Sequence, residues 1–309
     1  MHIIIKCGEK RLLAVYEGSM SASEQIEAFI AHLRDVKKSS LNTQVSYRRD
    51  LNKAISYFRE KGIEDTSFID AKALDAYMQK LQEDKLSAAT ISRNAAALRS
   101  FFSYLKVSGQ IDEVPSSDIH APQVEKKAPD ILSVAEVEQL LDRPNRQTMK
   151  GIRDAAMLEI LYGTGIRVTE LINLHVSDID LDRSCLTCRD GSKKRLIPFG
   201  ISAKQAVRIY LEHSRPYFTG DSDSTFLFTN VSGGSMSRQG FWKLLKGYAA
   251  DAGISSNITP HTLRHSFSAH LIANGADEKL VGAMLGHADA APVDLRKLRS
   301  AYKKNHPRR

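Results

Sequence analysis

Residues 261–287, HTLRHSFSAHLIANGADEKLVGAMLGH, decide how the rest of the chain is read. His261 and Arg264 stand three apart, so on a helix they share a face, one turn above the other. Thr259-Pro260 just before them is a helix start, with Thr able to cap and Pro suited to the first turn. Leu271, Ile272, Leu280, Val281, Met284 and Leu285 supply apolar faces for two successive helices, which Gly275 and Gly286 stop. Two cationic or proton-handling groups therefore sit at the head of one helix, and His287 follows the end of the next. That arrangement calls for an anion.

Working outward, Arg167 follows Gly163-Thr164-Gly165 and opens a further helix, near that helix's positive end. On its own it is a surface arginine paired with Glu170. In the company of His261, Arg264 and His287 it gains a second meaning. Two guanidiniums and two imidazoles can hold the non-bridging oxygens of a phosphodiester. They can also stabilise the extra charge of a five-coordinate transition state without a metal. Around these groups the second half of the chain is mostly helical. Ser133 and Glu136 form a capping box, and helical patterns cover 152–162, 203–211 and 238–248. SCLTCR and RLIPF flank DGSKK, a strand–turn–strand over 184–198, and FLF at 226–228 is a short strand. Cys185 and Cys188 lie three apart on a strand, which points them to opposite faces, so they read as structural rather than as a zinc site.

The first half is a small helical bundle. Amphipathic stripes begin at Ile26, Tyr47 and Ala71, and the clearest is Ile91, Ala95, Leu98, Phe102 and Leu105. Its polar faces carry Ser40, Thr43, Arg48, Arg49, Lys53, Arg93 and Arg99. These form either a solvated face or a surface that tracks phosphates, where cations supply charge and short hydroxyls reach backbone oxygens. The domains expected are 21–108 for the bundle and 131–309 for the second unit, joined by a proline-bearing linker at 109–130. Residues 1–20 form an N-terminal extension with no functional reading.

Composition agrees. The 309 residues carry 44 Lys+Arg against 36 Asp+Glu, a net charge of +8, which favours a polyanionic partner. Three cysteines make no disulfide framework, and no apolar run reaches the ~18 residues of a membrane span, so a cytoplasmic protein is expected.

The segments RDAAMLEILYGTGIRVTELINL, HTLRHSFSAHLIANGADEKLVGAMLGH and the terminal NHPRR resemble the tyrosine recombinase (phage-integrase) family, Xer-like branch, over nearly everything after residue 20. The resemblance implies a mainly α (α+β) protein. It would have a four-helix core-binding domain that clamps double-stranded DNA, and a mostly helical catalytic domain with a small antiparallel sheet. It implies site-specific recombination through a 3′-phosphotyrosyl link, with no metal or other cofactor. The assembly would be a tetramer on two duplexes, with the C-terminal segment docked on a neighbour. By the same resemblance Arg167 and Arg264 grip the scissile phosphate, and His261 and His287 assist proton transfer and phosphate binding. The family's hairpin lysine, which protonates the leaving 5′-oxygen, maps to Lys193, with Lys194 second, because Asp190 stands where many Xer-like chains have lysine.

The nucleophile departs from the pattern. The family places a tyrosine on its own helix shortly after the second histidine, whereas here ADAAPVDLRKLRSAYKKNHPRR follows and position 296 is Arg. Several residues are missing between Ala288 and Val293, and Tyr302 matches the family's closing helix instead. Two functions therefore stand: a recombinase, inactive in this copy if no other nucleophile serves, or a DNA-binding accessory protein that keeps the clamp fold. A metal-dependent hydrolase using His261 and His265 is the third reading, and it lacks the glutamate that follows the first histidine in zinc-protease helices.

Overall fold

The computed structural model describes residues 20–115, 130–190, 193–220, 222–254, 257–287 and 293–309. Two compact units divide the chain, Met1–Lys127 and Ala128–Arg309.

Within the first unit four helices follow the four apolar stripes: α1 (Ala22–Asp35), α2 (Leu41–Glu60), α3 (Ala71–Glu83) and α4 (Ala88–Val107). Each begins where a short polar side chain captures a free first-turn N–H: Ser21, Ser40, Asp70 and Ser87 all accept from the residue three further on. The inward faces meet through Phe29, Leu51, Phe58, Leu74, Leu98 and Phe102, all essentially buried. Each such side chain contributes about 1.5–3 kcal/mol by leaving water. Phe29 sets its ring edge against Phe101 at 5.6 Å.

The second unit runs α5 (Val134–Leu141), α6 (Met149–Thr164), α7 (Val168–Ile172), β1 (Ile179–Asp180), β2 (Cys185–Asp190), β3 (Lys193–Pro198), α8 (Ile201–Ile209), α9 (Arg215–Thr219), α10 (Arg238–Asp251), α11 (Pro260–Ala273), α12 (Glu278–Leu285) and α13 (Leu295–Asn305). The strands form one antiparallel sheet in the order β1-β2-β3, with Cys188 opposite Arg195. The protein is thus mainly helical with a small sheet, as its sequence predicts. α6 is buried on nearly every side and carries Arg153, Asp154 and Glu159 into the interior. Arg153 donates to Asp154 Oδ1 and to the Thr229 carbonyl, and Tyr248 donates to Asp154 Oδ2, so those charges are answered inside the domain.

One expectation changes. FLF is not a strand: only Phe226 bridges, to His175, while Leu227 and Phe228 are core residues of an irregular segment. A three-residue apolar run carries too little periodicity to separate those cases. The C-terminal helix α13 packs on its own domain. Leu298 and Tyr302 enter the core, Asn274 donates to the Asn305 carbonyl at 2.8 Å, and Arg308 reaches the buried Glu159 carboxylate at 2.6 Å.

Candidate active site

The phosphate-binding candidates are gathered by the ends of four helices. α6 stops at Gly165, whose φ of +62° is left-handed. A Cβ there would lie 2.4 Å from Phe267 Cδ1, so both conformation and packing require glycine. The chain then buries Ile166 and presents Arg167 as the N-cap of α7. Glu170 reaches back to accept from the Arg167 backbone N–H at 2.7 Å. Its other oxygen lies 3.4 Å from Arg167 Nη1, and the Arg167 side chain remains 41% exposed. The surface pair foreseen for Arg167 exists, and it leaves most of the guanidinium's donors open to a ligand.

Arg264 is held differently. From the first turns of α11 it donates to the Gly165 carbonyl at 2.6 Å and to the Leu285 carbonyl at 2.7 Å. Carbonyls orient a guanidinium without cancelling its charge. Burial, and then the neighbouring Arg167 charge, lower its pKa to about 10. The same crowding acts on His261: burial, then the charges of His265, Arg264, Arg167 and Arg238, push its pKa below the ordinary imidazole value. His261 is therefore neutral at pH 7, able to accept a proton or to donate one hydrogen bond. His287 follows Gly286, which closes α12 with a φ of +70°. Its backbone N–H bonds to Gly282 O at 3.1 Å, its ring lies over Gly282, and it is exposed.

Sequence reasoning missed Arg195. This β3 residue clasps Glu170 with both Nη atoms, at 2.8 and 2.9 Å, and donates Nε to the Met284 carbonyl at 3.0 Å. It thereby ties the hairpin to α7 and to the end of α12 that carries His287. Burial works to raise the Glu170 carboxyl, but the Arg195 hydrogen bonds, the Arg167 N–H and both guanidinium charges outweigh it and hold the group below the usual carboxylate range. Strand alternation was the available signal: Arg195 and Ile197 share a face, Ile197 is fully buried, and an arginine on such a face needs a carboxylate. Arg238, at the start of α10, is the other cation missed.

Lys193 opens β3 opposite Asp190, and its side chain lies outside the described residues. Lys194 is exposed and, one position from Arg195, faces the other way. The stretch 288–292 also lies outside the described residues. Tyr302 is well placed to be judged. It is 2% exposed, its hydroxyl accepts from Gly200 N–H at 3.1 Å, and its ring stacks on His306 at 4.4 Å. Burial holds its phenol far above the ordinary value. This is a core tyrosine, and α13 cannot deliver it to a phosphate without unpacking. Cys185 and Cys188 are both buried, and burial pushes Cys188 up to about 12, so neither is a ready nucleophile. Among the described residues no three metal-ligating side chains stand together.

In the first unit the candidate DNA contacts divide. Arg48 is held bidentately by Glu27 at 2.7 Å, Arg93 by the buried Asp50 at 2.7 and 3.0 Å, and Lys53 lies 3.7 Å from Asp84. Ser40 caps α2 and bonds Thr43. Arg49 and Arg99 are exposed, and Arg49 has no ion pair among the described residues.

The pattern of helix-end arginines and histidines recurs in known proteins. Residues 130–296 match the family model described as "Phage integrase family", and residues 26–109 match "Phage integrase, N-terminal SAM-like domain". The chain belongs to the phage integrase family. Within it, this integrase is of the Xer-like, tyrosine-recombinase type. It is 39% identical to "Tyrosine recombinase XerD" of Listeria monocytogenes serotype 4b (strain F2365), over 93% of this chain and 99% of the relative. It is 40% identical to the same-named protein of Oceanobacillus iheyensis, over 92% and 98%. Solved integrases share its fold. The Tn1549 transposon integrase in complex with a circular intermediate DNA superposes with a TM-score of 0.70 at 18% identity, covering 92% of this chain and 99% of that one. The XerH recombinase bound to difH substrate gives 0.66 at 23%, covering 91% and 82%. Among the described residues no helix of this integrase is long and apolar enough to cross a membrane.

Proposed function

We propose that this protein, a site-specific recombinase by family, binds double-stranded DNA and grips one phosphodiester with Arg167, Arg264, His261 and His287, without forming the family's phosphotyrosyl link. The observation that carries this reading is the pairing of a charged grip with a core-locked tyrosine. Arg167, Arg195 and Arg264 act on the one carboxylate Glu170, and a fourth arginine, Arg238, adds its charge at His261. Tyr302, which is the only tyrosine after His287, is buried against Gly200 and His306. The surplus positive charge suits a phosphodiester and the further charge it gains in a five-coordinate state. Neutral His261 can give a hydrogen bond to a non-bridging oxygen, and Arg167 supplies open donors beside it.

In the first unit the exposed Arg49 is the best-presented phosphate contact and Arg99 is a second exposed candidate, while Arg48, Lys53 and Arg93 act first as links within the bundle. Lys193 is retained as the hairpin contact. The Tn1549 integrase in complex with a circular intermediate DNA supports DNA as partner. A dimer of lambda integrase on a core site, superposing with a TM-score of 0.66 at 17% identity, supports association of copies on DNA, with a tetramer on two duplexes as the full assembly.

The test begins with duplexes selected for binding from a random pool. The best is then nicked to make a suicide substrate. Salt-dependent binding with no covalent adduct on a denaturing gel is expected, and an adduct would show that another nucleophile serves. Arg167→Ala should leave affinity nearly intact while lowering the salt slope by about one contact. If no duplex binds at low salt, the reading fails.

A further inference from the structure

A second basic site lies away from the grip. Arg183, Lys204, Arg299, Lys303 and Arg309 line a cavity of about 530 Å³ whose apolar floor is Pro198, Phe199 and Ile201. α11 begins at the grip with His261, and Asn274 at its far end bonds to Asn305 at the end of α13. The 14 residues of α11 span about 20 Å at 1.5 Å per residue, and the cavity lies along the second half of α13. These cations stand on the β1–β2 turn, α8, α13 and the tail, none of which carries a grip residue.

The charges here are poorly answered. Asp182 is the one carboxylate in the lining, and Arg183 has Asp180 at 3.7 Å. Arg299 donates to the Arg183 carbonyl and Arg309 to the Lys304 carbonyl, which orients both without neutralising either. Lys204 is half-buried, and neither it nor Lys303 has a carboxylate partner among the described residues. α8 begins beside Lys204 with no side-chain cap, and its first N–H, that of Gly200, goes to the Tyr302 hydroxyl. The far wall is the tail itself: Arg308 O lies 2.0 Å from where a Cβ on Gly200 would be, so only glycine lets the tail seat there.

We propose that this cavity binds a small organic polyphosphate of nucleotide size, and that the occupant clamps α13 and the tail against the β1–β2 turn and the start of α8. The volume falls within the ~300–1,000 Å³ of small-molecule sites. The cations suit a chain of phosphates, and the apolar floor suits the face of a base. A duplex backbone has no use for a concave apolar floor.

The experiment uses the full chain without DNA at low salt. ATP, inorganic pyrophosphate and adenosine are titrated calorimetrically as probes. Saturable ATP binding is expected, with pyrophosphate weaker and adenosine not binding. Lys204→Gln and the exposed Lys303→Gln should each weaken ATP at least tenfold while leaving duplex affinity unchanged, and Arg167→Gln should leave ATP binding as it is. The proposal is overturned if ATP does not saturate the native chain. It is equally overturned if Arg167→Gln abolishes ATP binding while Lys204→Gln and Lys303→Gln keep it, which would move the ligand to the grip. A matched loss of duplex and ATP affinity in Lys204→Gln would make the cavity part of the DNA surface and also sink it. None of these outcomes depends on whether the grip cleaves DNA.

Discussion

Tyr302→Phe separates a core tyrosine from a nucleophile. The substitution keeps the ring, its stack on His306 and its burial, and removes one oxygen. That oxygen accepts the N–H of Gly200, the residue that begins α8, at 3.1 Å. The phenylalanine variant leaves a buried donor without an acceptor, which costs about 1–3 kcal/mol. For a domain of this size each kcal/mol moves the midpoint by about 2–4 °C, so the catalytic-domain transition should fall by roughly 4–8 °C for a central loss of 2 kcal/mol. Tyr302→Ala also empties the aromatic site and should cost about 3–5 kcal/mol. Scanning calorimetry reads the shift, and a gel-shift titration should find duplex binding by the phenylalanine variant unchanged below its midpoint. The reasoning is refuted if Tyr302→Phe melts with the native chain, or if it removes a covalent DNA adduct that the native chain forms.

Three further outcomes follow from the same contacts. The Glu170 carboxyl is held below its ordinary range, so its stabilisation is complete above the unfolded value and is lost as pH falls through the folded one. Acid melting curves of the catalytic domain should therefore steepen as pH falls below the ordinary carboxylate value of 4.5, and Glu170→Gln should flatten that part while lowering stability at pH 7. A Cβ on Gly286 would meet Arg195 Cζ at 2.9 Å on a backbone with φ of +70°. Gly286→Ala should accordingly cost about 1–3 kcal/mol in thermal melting, and normal melting would show that Arg195 is free to move aside. In the first unit, Arg93→Ala strands the buried Asp50 and should destabilise the bundle by about 2 kcal/mol. Arg49→Ala should instead leave melting unchanged and weaken duplex binding in filter assays, and the reverse pattern would exchange their roles.

What the sequence showed and what it hid follow a physical line. The four stripes of the bundle and the helix starts at Ser133 and Thr259 were legible because burial period and capping chemistry are local. Arg167, Arg264, His261 and His287 were legible by spacing and family likeness, and the fold draws Arg167 close enough to lower the pKa of both Arg264 and His261. Arg195 stayed hidden because its meaning is tertiary: its partners Glu170 and Met284 are 25 and 89 residues away. The seating of α13 on its own domain was hidden likewise, since Tyr302, Asn305 and Arg308 find partners at Gly200, Asn274 and Glu159. The FLF segment was misread because apolar runs of that length fit a buried loop equally well.

The same distinction explains how the proposed grip can persist without the family's nucleophile. Arg264 satisfies the carbonyls that end α6 and α12, and Arg195 satisfies Met284 O and Glu170. Removing either guanidinium orphans several partly buried groups at once, at about 1–3 kcal/mol each. Stability alone therefore preserves much of the phosphate-binding geometry. A nucleophile must stand free at the phosphate to react, so it contributes little packing, and a chain that loses it still folds. On this argument Arg264→Gln should lower the catalytic-domain midpoint even without DNA, whereas His287→Gln, exposed at the end of α12, should leave it within about 0.5 kcal/mol of native. Calorimetry of the two variants decides the matter. If Arg264→Gln melts with the native chain, the grip is maintained by DNA binding and not by the fold.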